Sequence, residues 1–439
     1  MTVLAQSTEV RRQDAAFVLP PLDGGASAGV PLMQRVRRGV WRIILRSFLL
    51  SYHICVGFAG IIGRRPKAIA ADEPVEVLLT GTFYSDNWLN AHVAPLAASP
   101  KCRKLLLVTT FDAAPSPDVE IIMPPNWLRK TVGNVPSRLL TFMWTAFKRR
   151  PAWVGGFHLL LNGLIAQLVA RLSGSRALYF CVGGPMEVLG GGIWAENRLF
   201  CRLATPDPKV EASLLKAVRR FDLIITMGTS AAQFYRDHDV KSRCEVVSGA
   251  IDAERFKCAD ATRDIDFILV ARLSPIKRID HFIRAVALVV QEHPEAKAAI
   301  VGDGELREPL KSLAADLGIS DHVEFLGHQG DVGSFLNRSR VFVLSSDSEG
   351  LALSLMEAMT CGLPAVVSHV GDLGDLVRDG ENGFLIDDRT PESFAAAMVK
   401  LIENESRWQQ FSANARESAT RYESPVVVSR WDEILQSIA

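Results

Sequence analysis

Short apolar runs alternate with helical stretches along most of this chain, and that alternation limits the possible folds more than any other feature. VEVLLTGT (75–82), CRKLLLVTT (102–110), VEIIMP (119–124), AWVGGFH (152–158), ALYFCVGG (177–184), FDLIITMG (221–228) and CEVVSG (244–249) read as strands without a polar face. The segment LLLNGLIAQLVARLSG reads as a helix closed by Gly174. A second series follows: DFILVARL (266–273), AKAAIVGDG (296–304), VEFLGH (323–328), RVFVLSS (340–346), PAVVSHVG (364–371) and GFLIDD (383–388), with helices between them. Strands buried on both faces and separated by helices form parallel sheets covered on each side. Two such series predict two doubly wound, Rossmann-like α/β units. A cleft is expected between them, lined by strand C-termini and helix N-termini, with the joint near Gly249–Asp264.

At 439 residues the chain has material for two full cores. Hydrophobic residues at 48% and charged residues at 22% exclude a disordered chain. The formal net charge of zero hides an asymmetry. Residues 1–247 hold 30 Lys+Arg against 18 Asp+Glu, and residues 248–439 hold 19 against 31, so the halves carry +12 and −12. That division suits two domains with different partners. Seven scattered cysteines without a CxxC fit buried thiols in a reducing compartment better than disulfides or a zinc site. DHD (237–239) and DID (264–266) read as solvated carboxylates rather than metal ligands.

Residues 1–70 have their own character. The first 30 are polar, with no apolar region leading to a cleavage site, and are expected to be poorly ordered. Residues 31–67 carry eight Arg and Lys and no acid, around an uncharged run at 47–63. Seventeen residues interrupted by Ser47, Ser51, Tyr52 and His53 are marginal for a membrane span. A basic helix lying on an anionic membrane surface fits better, with Trp41, Ile43, Ile44, Phe48 and Leu49 entering the headgroup boundary. A helix packed on its own domain is the alternative.

Chemistry concentrates in SSDSEGLALSLMEAMTCGLP (345–364). A strand, a turn and a helix in succession would leave the amides of Gly350, Leu351, Ala352 and Leu353 available to hold an anion. Glu349 precedes this helix, and Glu357 is expected about two turns inside it, roughly 10 Å further along. Carboxylates so spaced can bracket an extended ligand, since they accept hydrogen bonds from sugar hydroxyls. VARLSPIK adds Arg272 and Lys277 after another strand, cations suited to a diphosphate.

VVSGAIDAERF, VARLSPIK, AAIVGDGELREPL, VEFLGH, the 345–364 segment and DGENGFLI together resemble the GT4 family of retaining glycosyltransferases over residues 250–420. The resemblance implies a GT-B fold, with the acceptor in domain 71–249 and the nucleotide-sugar donor in domain 250–418. Residues 419–439 would form a helix returning to the first domain. By the same resemblance Arg272, Lys277 and the amides of Leu351 and Ala352 would neutralise the donor diphosphate, with Leu353 beside the nucleotide. Glu357 would bond the ribose, Leu326 and Gly327 would contact the base, and Glu349 would orient the donor sugar. His158 would stand near the reacting sugar, and Gly81 near the phosphates. Gly183, Gly184 and Glu187, in CVGGPMEVLGGG, are read as acceptor-side wall. Ala271, Ser248 and Asp375 depart from the family's usual residues.

These features lead us to expect a metal-independent hexosyltransferase without a cofactor. It would use a UDP- or GDP-sugar on a glycan or lipid-linked acceptor in surface or exopolysaccharide synthesis. Its expected place is the cytoplasmic face of an anionic membrane, and nothing implies nucleic acid. A nucleotide-sugar epimerase of the same fold and a non-catalytic sugar-nucleotide-binding subunit are the rivals.

Overall fold

The computed structural model describes residues 32–437 except 67, 71–72, 84, 115–117, 196, 198 and 260, with side chains described from residue 36. Two compact units result. One takes residues up to Ala250 and resumes at Val427; the other is Ile251–Val426.

In the first unit seven strands lie in the order β3-β2-β1-β4-β5-β6-β7, all pairs parallel. They are β1 (Val75–Thr80), β2 (Cys102–Val108), β3 (Val119–Ile122), β4 (Trp153–Phe157), β5 (Arg176–Cys181), β6 (Leu223–Thr226) and β7 (Arg243–Val246). Every run read as a strand is one; the observed strands stop short of the predicted ends, where the chain turns into loops. Alternation fixes the two faces. Leu78, Leu106, Val154, Tyr179 and Ile224 belong to one core, and Val77, Leu105, Trp153, Leu178 and Ile225 to the other.

Besides the short helical turn Ala94–Ala97, the helices between residues 32 and 250 are α1 (Leu32–Ile62), α2 (Asp86–His92), α3 (Asn126–Val132), α4 (Asn134–Arg149), α5 (Leu164–Ser173), α6 (Pro208–Val218) and α7 (Thr229–Asp237). The pair α3–α4 was not anticipated. Helix α5 starts five residues later than the sequence suggested, because Leu159–Gly163 forms a tight turn instead. Phe142 of α4, Leu164 of α5 and Leu214 of α6 share the first core, so these helices cover one side of the sheet.

Helix α1 packs over α5 and α6. Leu45, Leu49, Tyr52 and Val56 recur every three to four residues and are buried in that core. Polar contacts fix the same face. The Arg46 guanidinium reaches both Asp207 oxygens at 2.9 Å, Tyr52 Oη donates to Gln167 Oε1 at 2.6 Å, and His53 Nε2 lies 2.9 Å from Ser213 Oγ. Burial opposes the Asp207 charge, but the Arg46 contact and the α6 amides outweigh it and hold the carboxyl below its ordinary range. The sequence reading is therefore corrected in part. Leu49 and Trp41 turn inward, Trp41 Nε1 donating to the Leu199 carbonyl at 2.7 Å, and Arg46 is committed to Asp207. Ile43, Ile44 and Phe48 do lie on the exposed side. Residues 1–31 and Lys67 fall outside the described residues.

The second unit repeats the plan with six parallel strands in the order β10-β9-β8-β11-β12-β13. They are β8 (Ile265–Val270), β9 (Ala298–Val301), β10 (Val323–Gly327), β11 (Ser339–Leu344), β12 (Ala365–Ser368) and β13 (Gly383–Ile386). Its helices are α8 (Ile279–Glu292), α9 (Arg307–Asp316), α10 (Val332–Asn337), α11 (Leu353–Thr360), α12 (Pro391–Ile402) and α13 (Glu405–Ala419). The last helix, α14 (Ser424–Ser437), seats Val427, Trp431, Ile434 and Leu435 in the core of the first unit. Burying such side chains stabilises by roughly 1.5–3 kcal/mol each, an upper figure for a real unfolded chain.

Candidate functional site

Strand order reverses once in each sheet, between β1 and β4 and between β8 and β11. Connections leave the two central strands in opposite directions there, which opens a crevice at their carboxyl ends. The sequence-predicted residues gather at these two places.

In the second unit the segment after β8 runs through Arg272 to Lys277, and the segment after β11 runs from Ser345 to Ala352. Backbone contacts stitch them together. Asp347 N–H donates to the Ile276 carbonyl at 2.8 Å, and Ser345 Oγ reaches the carbonyls of Lys277 and Arg278 at 3.2 and 2.8 Å. Lys277 Nζ then lies 2.6 Å from Glu349 Oε1, which also accepts from Ser346 Oγ at 2.5 Å. The two side chains are 20% and 9% exposed, so water screens the pair weakly. Beneath it, Gly371 has φ +55° and closely approaches the Glu349 carbonyl; a Cβ there would collide with that backbone.

Helix α11 begins at Leu353, so Gly350 and Leu351 form a bend and Ala352 is extended, none of them helical. Glu357 is consequently one turn inside the helix, about 6 Å from its first residue, and not two turns. It is buried beside Met356 and Ala358 rather than pointing to solvent. Arg272 stands at the surface two residues beyond β8. Leu326 and Gly327 end β10, two strands from β8, and Gly327 has φ +68° with the Arg307 guanidinium alongside.

A cationic group beside the pair was missed from sequence. Arg278 contacts Asp347 at 3.5 Å and Asp280 at 3.0 Å, and Arg389 contacts Asp347 at 3.4 Å. The Asp280 hydrogen bond raises the Arg278 pKa, against the effect of burial. Arg278 adjoins Lys277 in sequence, but only the fold brings Arg389 near. A 640 Å³ surface pocket lies among Asp264, Lys297, His322 and Arg338, at the opposite, amino-terminal edge of the same strands.

In the first unit Gly81 follows β1 and His158 follows β4, adjacent strands. Arg138 of α4 is buried and donates to the Gly81 carbonyl, to Thr82 Oγ1 at 3.2 Å and to Asn162 Oδ1 at 2.8 Å, tying the two loops together. Gly81 itself packs on Phe83 and Phe157. The turn after His158 is strained. His158 has φ 65° and ψ 140°, and Leu161 has φ 70° and ψ −61°. Gly156 permits the fold-back, because a Cβ there would strike the Asn162 backbone at 2.6 Å.

Glu187 sits under this turn, 2% exposed. Its Oε1 accepts from Gly183 N–H at 2.7 Å and lies 3.1 Å from His158 Nδ1. Its Oε2 accepts from the Leu159 amide and from Tyr179 Oη at 3.1 Å. Burial raises the pKa of the Tyr179 and Tyr235 phenols and the Cys181 thiol nearby, so all three stay neutral around the carboxylate. Glu187 thus orients the His158 ring through Nδ1. The glycine-rich segment supports His158: Gly183 donates to Glu187, and Gly184, with φ +60°, turns the chain.

Among the described residues no three His, Cys, Asp or Glu side chains come together as a metal site. What the site of the second unit offers is a cation–carboxylate pair, a surface arginine and a helix start, a set suited to a polyhydroxylated anion.

The chain is 30% identical over 212 residues to the poly(glycerol-phosphate) alpha-glucosyltransferase of Bacillus subtilis, covering 48% of this chain and 30% of that protein. It is 31% identical over 177 residues to the UDP-Gal:alpha-D-GlcNAc-diphosphoundecaprenol alpha-1,3-galactosyltransferase of Escherichia coli, covering 37% and 46%. The chain thus spans less than half the length of either relative. Its fold is that of the Anabaena protein HepE, solved with UDP and glucose: TM-score 0.64, 18% identity, 83% of this chain and 100% of that one. That likeness identifies two Rossmann-like domains of the GT-B type. Residues 250–418, the greater part of the second unit, match the family model for glycosyl transferases group 1, so that unit carries this family's domain.

Proposed function

We propose that the chain is a retaining glycosyltransferase that moves a hexosyl group from a UDP- or GDP-sugar to a hydroxyl of a glycan or lipid-linked acceptor, in the synthesis of a surface or exported polysaccharide. The observation that carries the reading is the pairing of Lys277 with Glu349 where the strand order reverses, directly ahead of α11. A diphosphate would meet Arg272, Lys277 and the amides of Gly350, Leu351 and Ala352, with Leu353 against the nucleotide. Glu357 would accept from the ribose, Leu326 and Gly327 would border the base, and Glu349 would hold a hydroxyl of the donor sugar. Resemblance to the family supplies these assignments, and the strand-end placement supports them.

In the reaction the bond from the anomeric carbon to the diphosphate oxygen breaks as the acceptor oxygen bonds to the same carbon. The acceptor proton passes to the departing diphosphate on the same face. The protein contributes charge at that oxygen and position at the sugar, with neither metal nor cofactor. His158, held by Glu187, would stand near the reacting sugar, and Gly81 would border the phosphates.

A panel of UDP- and GDP-sugars scored by thermal shift, followed by product analysis with acceptor mixtures, tests the proposal. A donor should raise the melting temperature and be consumed only with acceptor. Conversion of the donor without acceptor would favour an epimerase, and binding with no turnover in any mixture would favour a binding subunit.

A further inference from the structure

Helices α3 and α4 expose large apolar side chains in a way their own core does not require. Trp127 and Trp144 are 68% and 69% exposed. Leu140, Trp144 and Phe147 follow one another at helical spacing on the outward side of α4, opposite its buried Phe142 and Ala146. Val135 at the start of α4, Val132 at the end of α3 and Met123 before it are exposed as well. Isolated exposed apolar residues are ordinary; a contiguous stretch of this kind marks a contact surface.

Charge identifies the partner. Residues 121–150 contain six Arg and Lys and no Asp or Glu. Arg138 is buried, while Lys130, Lys148 and Arg150 stand exposed next to the tryptophans in sequence. Tryptophan with Lys and Arg around an apolar stripe is the composition that settles in the headgroup layer of an anionic bilayer.

The same side of the sheet carries a second bare stripe. Helix α1 is long and apolar enough over Val36–Ile62 to cross a membrane, yet its inner face is fixed to α5 and α6. Its outer face leaves Ile43, Ile54, Phe58 and Ile61 exposed. Since α4 also packs on α5, both stripes border the helical layer over one sheet face.

We propose that α3 and α4, through Trp127, Trp144 and the basic residues beside them, are a membrane-contact surface for anionic lipid, joining α1 in an in-plane attachment. This goes beyond the attachment read from residues 31–67 and does not depend on the sugar-transfer chemistry.

The test is flotation of the full chain with vesicles of phosphatidylcholine alone and with added phosphatidylglycerol, together with fluorescence quenching by brominated lipid. The wild type should float with the anionic vesicles and release as salt rises. Trp127→Ser with Trp144→Ser should lower the partition coefficient about tenfold or more and remove a share of the quenching. Both positions are exposed, so the melting temperature should hold. Unchanged partition and quenching in this variant overturn the proposal, and if Ile43→Ser with Ile54→Ser abolishes flotation meanwhile, α1 alone carries the attachment. Wild-type protein that never floats overturns both. Loss of self-association in the tryptophan variant, with vesicle binding intact, would show instead a protein interface.

Discussion

Lys277 Nζ and Glu349 Oε1 lie 2.6 Å apart, joining by one ion pair two residues that the sequence reading had given separate tasks. The cation meant for phosphate and the carboxylate meant for sugar share a single charge balance. Removing the carboxylate leaves Lys277 more available to an anion. Glu349→Gln should therefore lower turnover by about tenfold or more while UDP and GDP bind no more weakly than to wild type. Combined with Lys277→Ala, it should give a coupling energy of roughly 0.5–3 kcal/mol in a double-mutant cycle on kcat/KM. Strictly additive losses would separate the two roles again.

Arg272 carries the diphosphate without being part of that pair in our reading. Arg272→Ala should weaken nucleoside-diphosphate binding by about 1.5–3 kcal/mol, the scale of a charge-assisted hydrogen bond. Titration calorimetry with UDP and GDP decides it; equal affinities in variant and wild type would remove Arg272 from the site.

Glu187 accepts from Gly183, Leu159 and Tyr179 and orients His158. Glu187→Gln turns an amide donor toward donors that are already there. We expect a loss of stability of roughly 1–3 kcal/mol together with a fall in kcat. His158→Ala should lower kcat with little change in melting temperature, because that ring is 45% exposed. A His158→Ala enzyme with full turnover would assign the whole cluster to folding.

His92 on α2 is fully enclosed, and burial lowers its pKa to about 3. Gly249, at φ +113°, presses on the ring. The folded state refuses a proton that the unfolded chain accepts below about pH 6.5. The resulting stabilisation is fully present above that pH and declines as pH falls toward 3. Between pH 7 and pH 5 this single group should remove about 2 kcal/mol. Denaturant melts at the two pH values should show that slope, and His92→Gln should flatten it.

Activity should survive chelation, since in our reading cations of the chain balance the leaving diphosphate. Turnover lost in EDTA and restored by Mn²⁺ or Mg²⁺ would contradict that assignment.

Sequence alone determined the two parallel sheets. Runs such as VEVLLT and DFILVA have no polar face, and only a strand covered by helices on both sides hides them. It also determined the loops that carry Arg272, Lys277 and Glu349, because each follows such a run at a fixed short distance. Tertiary structure decided which of these meet. Lys277 and Glu349 are 72 residues apart and touch only because β8 and β11 are neighbours. The start of α11 was also decided there: Gly350 and Leu351 bend ahead of the helix where the Glu349 and Gly350 carbonyls approach Gly371, a contact no local pattern announces. The turn at His158–Gly163 looked helical, since LLLNGLIAQ has the right composition. It is not helical, because Asn162 folds back onto Gly156 and both Arg138 and Glu187 hold the strained backbone from elsewhere in the chain. Helix α1 shows the same division. Composition made it apolar around most of its circumference, and only packing on α5 and α6 chose which stripe was covered and which was left bare.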